Sequence, residues 1–169
     1  MKTYVTEMKP MIFFFKINTA RKSIMLFRKA ITTDIPQLIK FRKILLCHED
    51  NSSMDETFRK YFVSSLSDKS LVVWVADDDG VVVSTVCFCL CRFAPRFENP
   101  SGLVAYMANV FTIPNYRRQG IVSKLVSEAI DDLKTQGIRK ILLHSSDMAK
   151  PLYEILGFVE GKNYMSINI

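Results

Sequence analysis

Two hydrophobic periods alternate along this chain, and the switches between them predict the order of its elements. Residues 24–30 have the short alternation of a strand and stop at Thr32-Thr33-Asp34, which can cap a helix over residues 35–46. In that helix Leu38, Ile39, Phe41, Ile44 and Leu45 lie mostly on one side. Asn51-Ser52-Ser53 interrupts, and residues 54–66 predict a second helix with Phe58, Tyr61, Phe62 and Leu66 at helical spacing. Residues 71–76 and 81–93 are β-rich runs joined through Asp77-Asp78-Asp79-Gly80, and Asp-Gly between such runs predicts a hairpin.

After a loop over residues 94–102, marked by Pro95, Pro100 and Gly102, residues 103–113 predict the next strand, ending at Pro114. Residues 120–136 form the clearest helix, with Ile121, Leu125, Val126, Ala129, Ile130 and Leu133 as its apolar stripe. Gly137 stands where a left-handed C-terminal residue is expected. Residues 140–144 predict a strand, and Ser145-Ser146-Asp147 can cap a following helix whose first turn tolerates Pro151. Gly157 stops that helix, and residues 158–169 predict a closing strand pair. Strand, two helices, strands, helix, strand, helix, strand describes a mixed α/β single domain. Its 169 residues are enough to bury a proper core.

Charge changes this picture only at one end. The net charge of +6 resides in residues 1–29, where Lys2, Lys9, Lys16, Arg21, Lys22, Arg28 and Lys29 face Glu7 alone; the rest of the chain is balanced. A nucleic-acid binder should carry its basic face on the folded body, so none is expected. Met11-Ile12-Phe13-Phe14-Phe15 is too short for a membrane span or a signal-peptide core. The expected organisation is a basic N-terminal extension, residues 1–23, followed by one domain over residues 24–169, with no membrane partner and a reduced, cytoplasmic setting. Cys87, Cys89 and Cys91 alternate on one strand face, which is poor spacing for zinc. With Cys47 they are expected to act as small core fillers and not as metal ligands. The Asp triplet is likewise explained by turn chemistry without a metal.

Candidate chemistry concentrates between Val110 and Val122. Val110-Phe111-Thr112-Ile113 is a β-branched and aromatic run that passes through Asn115-Tyr116-Arg117-Arg118-Gln119 and opens a helix at Gly120-Ile121-Val122. Such a junction gathers cationic side chains and unpaired backbone N–H groups at the positive end of a helix dipole, which suits anions. A side chain at position 120 would block close approach of a phosphate. A plain strand-to-helix turn carrying surface arginines has the same local pattern.

Arg117, Gly120 and Val122 occupy the fixed positions of the signature Gln/Arg-x-x-Gly-x-Gly/Ala, with Val departing from the last. Ala149-Lys150-Pro151-Leu152-Tyr153-Glu154-Ile155-Leu156-Gly157-Phe158 is similar to a second motif, Ala-x-x-Leu-Tyr-x-x-x-Gly-Phe. Both motifs, in this order and with a helix and a strand between them, resemble those of the GNAT acetyltransferase superfamily over residues 24–169. The resemblance implies a mixed sheet with a splayed central strand pair. It also implies acetyl-CoA as co-substrate, no metal, and a primary amine on a small molecule or peptide as acceptor, attacked directly in a ternary complex. It allows a homodimer.

The same resemblance implies a site. The backbone of Val110 and Thr112, with Phe111 between them, would pair with the pantetheine amides. The N–H groups from Arg117 through Arg118, Gln119, Gly120 and Ile121 to Val122 would surround the pyrophosphate. Ser146 stands where relatives often keep an Asn that helps to hold the cofactor. Tyr153 matches a Tyr kept beside the thioester sulfur, and a phenol stays protonated at neutral pH and can supply the leaving thiolate's proton. The strand before the loop offers Tyr106-Met107-Ala108-Asn109 and no carboxylate, leaving His144, Glu98 or ordered water as bases. A non-catalytic acyl-CoA-binding or regulatory protein of the same fold is the alternative.

Overall fold

The computed structural model describes residues 24–161. Its elements are β1 (Met25–Lys29), a 3-10 turn (Thr32–Asp34), α1 (Ile35–Leu45), α2 (Asp55–Ser67), β2 (Leu71–Asp78) and β3 (Val81–Arg92), followed by β4 (Leu103–Thr112) and a second 3-10 turn (Pro114–Tyr116). α3 (Ile121–Thr135), β5 (Ile141–Leu143) and α4 (Lys150–Ile155) complete the order. The expected basic extension and residues 162–169 of the expected closing strands lie outside the described residues, while residues 158–161 form no strand.

The sheet runs β1-β2-β3-β4-β5, with antiparallel neighbours throughout except for the parallel pair β4–β5. Two hydrophobic clusters cover its faces. On one face α3 buries Ile121, Leu125, Val126, Ala129 and Leu133 against Val86, Phe88, Ala105 and Met107. Each large apolar side chain so buried contributes about 1.5–3 kcal/mol, so the apolar stripe of α3 holds the helix to this face. On the other face α1 and α2 supply Leu38, Phe41 and Phe62 against Val73, Val75, Cys87 and Phe111. No helix among the described residues is long and apolar enough to cross a membrane.

Local chemistry explains where elements end. Asp79 (φ 52°) and Gly80 (φ 87°) are the two left-handed residues of the predicted hairpin. Only these two form the turn; Asp77 and Asp78 extend β2 beyond the expected run. Asp77 accepts the Gly80 N–H at 2.7 Å, so its carboxylate caps the turn from within the strand. Gly137 (φ 77°) and Gly157 (φ 87°) stop α3 and α4 as predicted. Cys87 is buried and burial pushes its thiol up to about 12, so it packs as an inert core residue. Cys89 and Cys91 on the same face are half-buried, and Cys47 is exposed. Among the described residues no His, Cys, Asp or Glu cluster is placed to hold a metal.

Candidate functional site

One extra residue in β4 shapes the site. Ser84 and Thr85 of β3 pair with Thr112 and Phe111, whereas Cys87 pairs with Ala108. Val86 therefore faces two residues, Asn109 and Val110, and Asn109 takes a left-handed φ of 52°. Asn is among the few side chains that adopt this conformation readily. Arg42 of α1 donates to the Asn109 side-chain oxygen at 2.7 Å and pins the bulge. The insertion resets the alternation of the strand. Met107 and then Val110 face the α3 side, while Phe111 turns to the α1 side against Phe41, with ring centroids 4.6 Å apart.

Directly before the bulge, β4 and β5 part. Their pairing covers only Ala105, Tyr106 and Met107 opposite Ile141, Leu142 and Leu143. Beyond it β4 has β3 as its one strand partner among the described residues. Ile113 donates its N–H to the Val83 carbonyl at 3.0 Å, and the Ser84 hydroxyl donates to the Phe111 carbonyl at 2.9 Å. Backbone groups alternate between the two edges of a strand, so Phe111 bonds toward β3 while Val110 and Thr112 direct their N–H and C=O groups into the fork. Of the three expected backbone contacts, Val110 and Thr112 thus face the opening and Phe111 serves the core.

The strand delivers the chain to the loop. Tyr116 donates its hydroxyl to the Asp78 carboxylate at 2.5 Å, anchoring the turn before the loop to β2. Arg117 is extended, lays its guanidinium 5.9 Å from the Phe111 ring centroid, and donates to the Thr112 carbonyl at 2.9 Å. Arg118 (φ 61°) and Gly120 (φ 76°) are both left-handed. Gln119 folds back, its amide donating to the Asn115 carbonyl at 2.9 Å. No side chain caps α3, so its first N–H groups and dipole are presented to whatever lies above Gly120. A β-carbon at Gly120 would meet nothing within 4 Å. The glycine is required by its backbone angle, and the space above it is open. Ile121 is buried, and Val122 packs half-buried against the α3-face core, so its side chain faces away from that space.

The second motif forms α4. Ser146 is exposed and its carbonyl accepts the N–H groups of Ala149 and Lys150, both at 3.0 Å, opening the helix. Tyr153 is buried and meets Phe158 edge-on with ring centroids 5.8 Å apart, and burial pushes its phenol above the ordinary tyrosine value. Of the candidate bases, Glu98 sits on the exposed turn between β3 and β4, away from the fork. His144 follows the last paired residue of β5, and its Nδ1 lies 2.6 Å from the Tyr106 hydroxyl. Sequence reasoning did not find the roles of Asn109 and Arg42. The available signal was a lone Asn inside a β-branched run, where only a bulge makes use of its tolerance for left-handed backbone.

Comparison with known proteins agrees with this geometry. A model of the acetyltransferase (GNAT) family matches residues 37–158. A glucosamine 6-phosphate N-acetyltransferase of Trypanosoma brucei brucei is 28% identical over 75 residues, 44% of this chain and 51% of that enzyme, so the match spans about half of its length. The N-alpha-acetyltransferase 30 of Schizosaccharomyces pombe is 27% identical over 124 residues, 69% of this chain and 77% of that protein. A crystal structure of a predicted acetyltransferase of Clostridium acetobutylicum, solved with acetyl-CoA, superposes with a TM-score of 0.78 at 29% identity, covering 86% of this chain and 96% of that one.

Proposed function

The chain belongs to the acetyltransferase (GNAT) family, and from that premise we propose that it transfers the acetyl group of acetyl-CoA to a primary amine of a small molecule or peptide. The observation that carries this reading is a path with backbone donors at its two ends, joined by a turn whose own N–H groups are bonded within the protein. It begins at Val110 and Thr112 in the fork and ends at the uncapped N-terminus of α3 behind Gly120. An extended, amide-bearing chain ending in phosphates is the ligand chemistry that such a path suits. A glucosamine 6-phosphate N-acetyltransferase and an N-alpha-acetyltransferase among its relatives, and a similar structure solved with acetyl-CoA, support the same class. Residues 24–169 would form this domain, with residues 1–23 an extension outside it.

In this reading acetyl-CoA supplies the activated acyl group, and the protein supplies position and protons. Backbone N–H groups of β4 in the fork polarise the acyl carbonyl. Arg117, Arg118 and the N–H groups from Gln119 to Val122 hold the pyrophosphate, and Ser146 offers a hydroxyl from the far side of the fork. Tyr153, kept protonated by its burial, gives a proton to the departing thiolate. The amine enters as the second ligand of a ternary complex, so alignment of the two reactants contributes much of the acceleration.

Thermal denaturation with and without acetyl-CoA tests the reading. Ligand at about a hundred times its dissociation constant stabilises by about 2.7 kcal/mol, a shift of several degrees that Gly120→Glu should remove. Release of CoA with glucosamine 6-phosphate or a peptide bearing a free α-amino group then tests transfer. A shift without turnover on any primary amine would favour an acyl-CoA-binding protein, and no shift would end the acetyl-CoA reading.

A further inference from the structure

Tyr106 and His144 form a polar pair at the crotch of the fork. β4 and β5 are last joined at Met107 and Leu143, and His144 is the next residue of the chain. The Tyr106 hydroxyl and His144 Nδ1 are 2.6 Å apart, with the two rings tilted at 53° and their centroids 5.7 Å apart. Side chains alternate along β4, so Tyr106 stands on the face opposite Ala105 and Met107, which pack under α3. Its face is therefore that of α1 and α2. Its neighbour across β3 is Cys89, which lies 3.5 Å from the Tyr61 hydroxyl of α2.

The pair thus sits beside the fork, where the acyl group is placed by the reading above, on the α1 and α2 side of the sheet. Neither residue is needed to close a core: Tyr106 is half-buried and His144 exposed. Two polar groups held at hydrogen-bonding distance at the end of a strand suit a proton path. A tyrosine hydroxyl both donates and accepts. With its own proton directed to Nδ1, its oxygen has lone pairs left for a proton from another group. β4 carries no carboxylate for this task.

Resting on the acetyl-transfer reading, we propose that Tyr106 and His144 act together as the general base for the acceptor amine. As the amine nitrogen bonds to the acyl carbon and the carbon–sulfur bond breaks, the nitrogen loses one proton to the Tyr106 oxygen. The phenolic proton passes to His144 Nδ1 in the same movement, and the sulfur takes its proton from Tyr153. Proton exchange of the imidazolium and the Tyr153 phenolate through solvent restores both, so the overall change is amine plus thioester to amide plus thiol.

The test compares the full chain with His144→Ala, Tyr106→Phe and the double variant. It measures CoA release with glucosamine 6-phosphate and with a free-amino-terminal peptide, and acetyl-CoA binding by thermal shift. The expected result is a fall in kcat of about a hundredfold or more in each single variant, with the acetyl-CoA shift retained. The double variant should be no slower than the singles, because the two act as one unit. Added imidazole should restore part of the His144→Ala rate, which a merely structural histidine would not allow. Wild-type kcat in either single variant overturns the proposal and leaves the acetyl-transfer reading standing, as does a loss that is additive and deaf to imidazole. A wild-type protein that binds acetyl-CoA yet acetylates no primary amine, these two and a wider panel included, overturns both.

Discussion

Arg28 and Asp34 are joined by two hydrogen bonds, of 2.7 and 3.0 Å, that tie β1 to the start of α1. The same guanidinium reaches Asp77 of β2 at 2.7 and 3.1 Å. Asp34 also accepts the Ile31 N–H at 2.8 Å. Hydrogen bonding to Asp34 is the main reason that Arg28 is held above the ordinary arginine range. For Asp34, burial pushes the carboxyl upward, but the hydrogen bonds from Arg28 and Ile31, with the Arg28 charge, outweigh it and leave the group below its ordinary value.

Arg28→Ala should therefore destabilise the domain by about 3 kcal/mol, because it strands buried carboxylates without their cation. Asp34 is depressed in the folded state, so its contribution is complete above the unfolded carboxylate value of about 3.9 and is lost as pH falls through the lower folded value. Urea midpoints between pH 6 and pH 2 check both points. The wild type should weaken through that acid window, and Arg28→Ala should start lower and weaken less.

Gly120→Ala separates backbone conformation from ligand space. Forcing a β-carbon into φ 76° costs about 1–2 kcal/mol, while the open space above the residue leaves the loop without a clash. The apo melting temperature should fall in Gly120→Ala. Gly120→Glu should show a similar fall and, in addition, lose the acetyl-CoA shift by placing charge over the N-terminus of α3.

At the bulge the order of variants is diagnostic. Asn109→Gly keeps the left-handed angle and loses the side chain's 2.7 Å bond from Arg42 and its hydrogen bond with the Cys87 thiol, costing about 1 kcal/mol. Asn109→Val adds a β-branched side chain at φ 52°, for about 1–2 kcal/mol more. If the bulge holds the fork open, acetyl-CoA binding should weaken in Asn109→Val more than its melting temperature alone accounts for; equal affinities in the two variants would argue against that role.

Val122→Ala installs the residue that the motif prefers. Because Val122 packs into the core and faces away from the loop's open side, the change should lower stability by about 1 kcal/mol and leave the dissociation constant for acetyl-CoA unchanged. Isothermal titration of both proteins decides this.

Tyr153→Phe removes the proposed donor and keeps the ring that meets Phe158. Stability should change little, while kcat falls about a hundredfold at unchanged acetyl-CoA affinity. Burial alone raises the wild-type phenol, so the midpoint of its deprotonation should lie above the ordinary value of about 10, and the alkaline fall in rate should be centred above that pH.

Much of this was legible in the sequence because local chemistry and tertiary packing agree. The stripe from Ile121 to Leu133 buries as its period requires, and Asp79-Gly80 turns where two positive φ angles are needed. The junction between β4 and α3 was legible because Gly120 sits where the hydrophobic period switches from strand to helix. The bulge was not, since a β-run with one extra residue has no period of its own until its partner strand is known. Arg42 and Asn109 are 67 residues apart in the chain, and Tyr106 and His144 are 38 apart. Pairings of that range depend on register, which no single segment encodes.

The fork gives this sheet a border in its middle. Val110 and Thr112 lie in the fourth of five strands yet turn backbone groups away from any neighbouring strand, as an outermost strand does, with only the Arg117 side chain reaching the Thr112 carbonyl, and exposed strand edges recruit other chains. A ligand laid along them does for the protein what a sixth strand would do. Occupancy of the fork should therefore guard against self-association as well as support turnover, and the empty protein should be the first population to aggregate on heating or concentration.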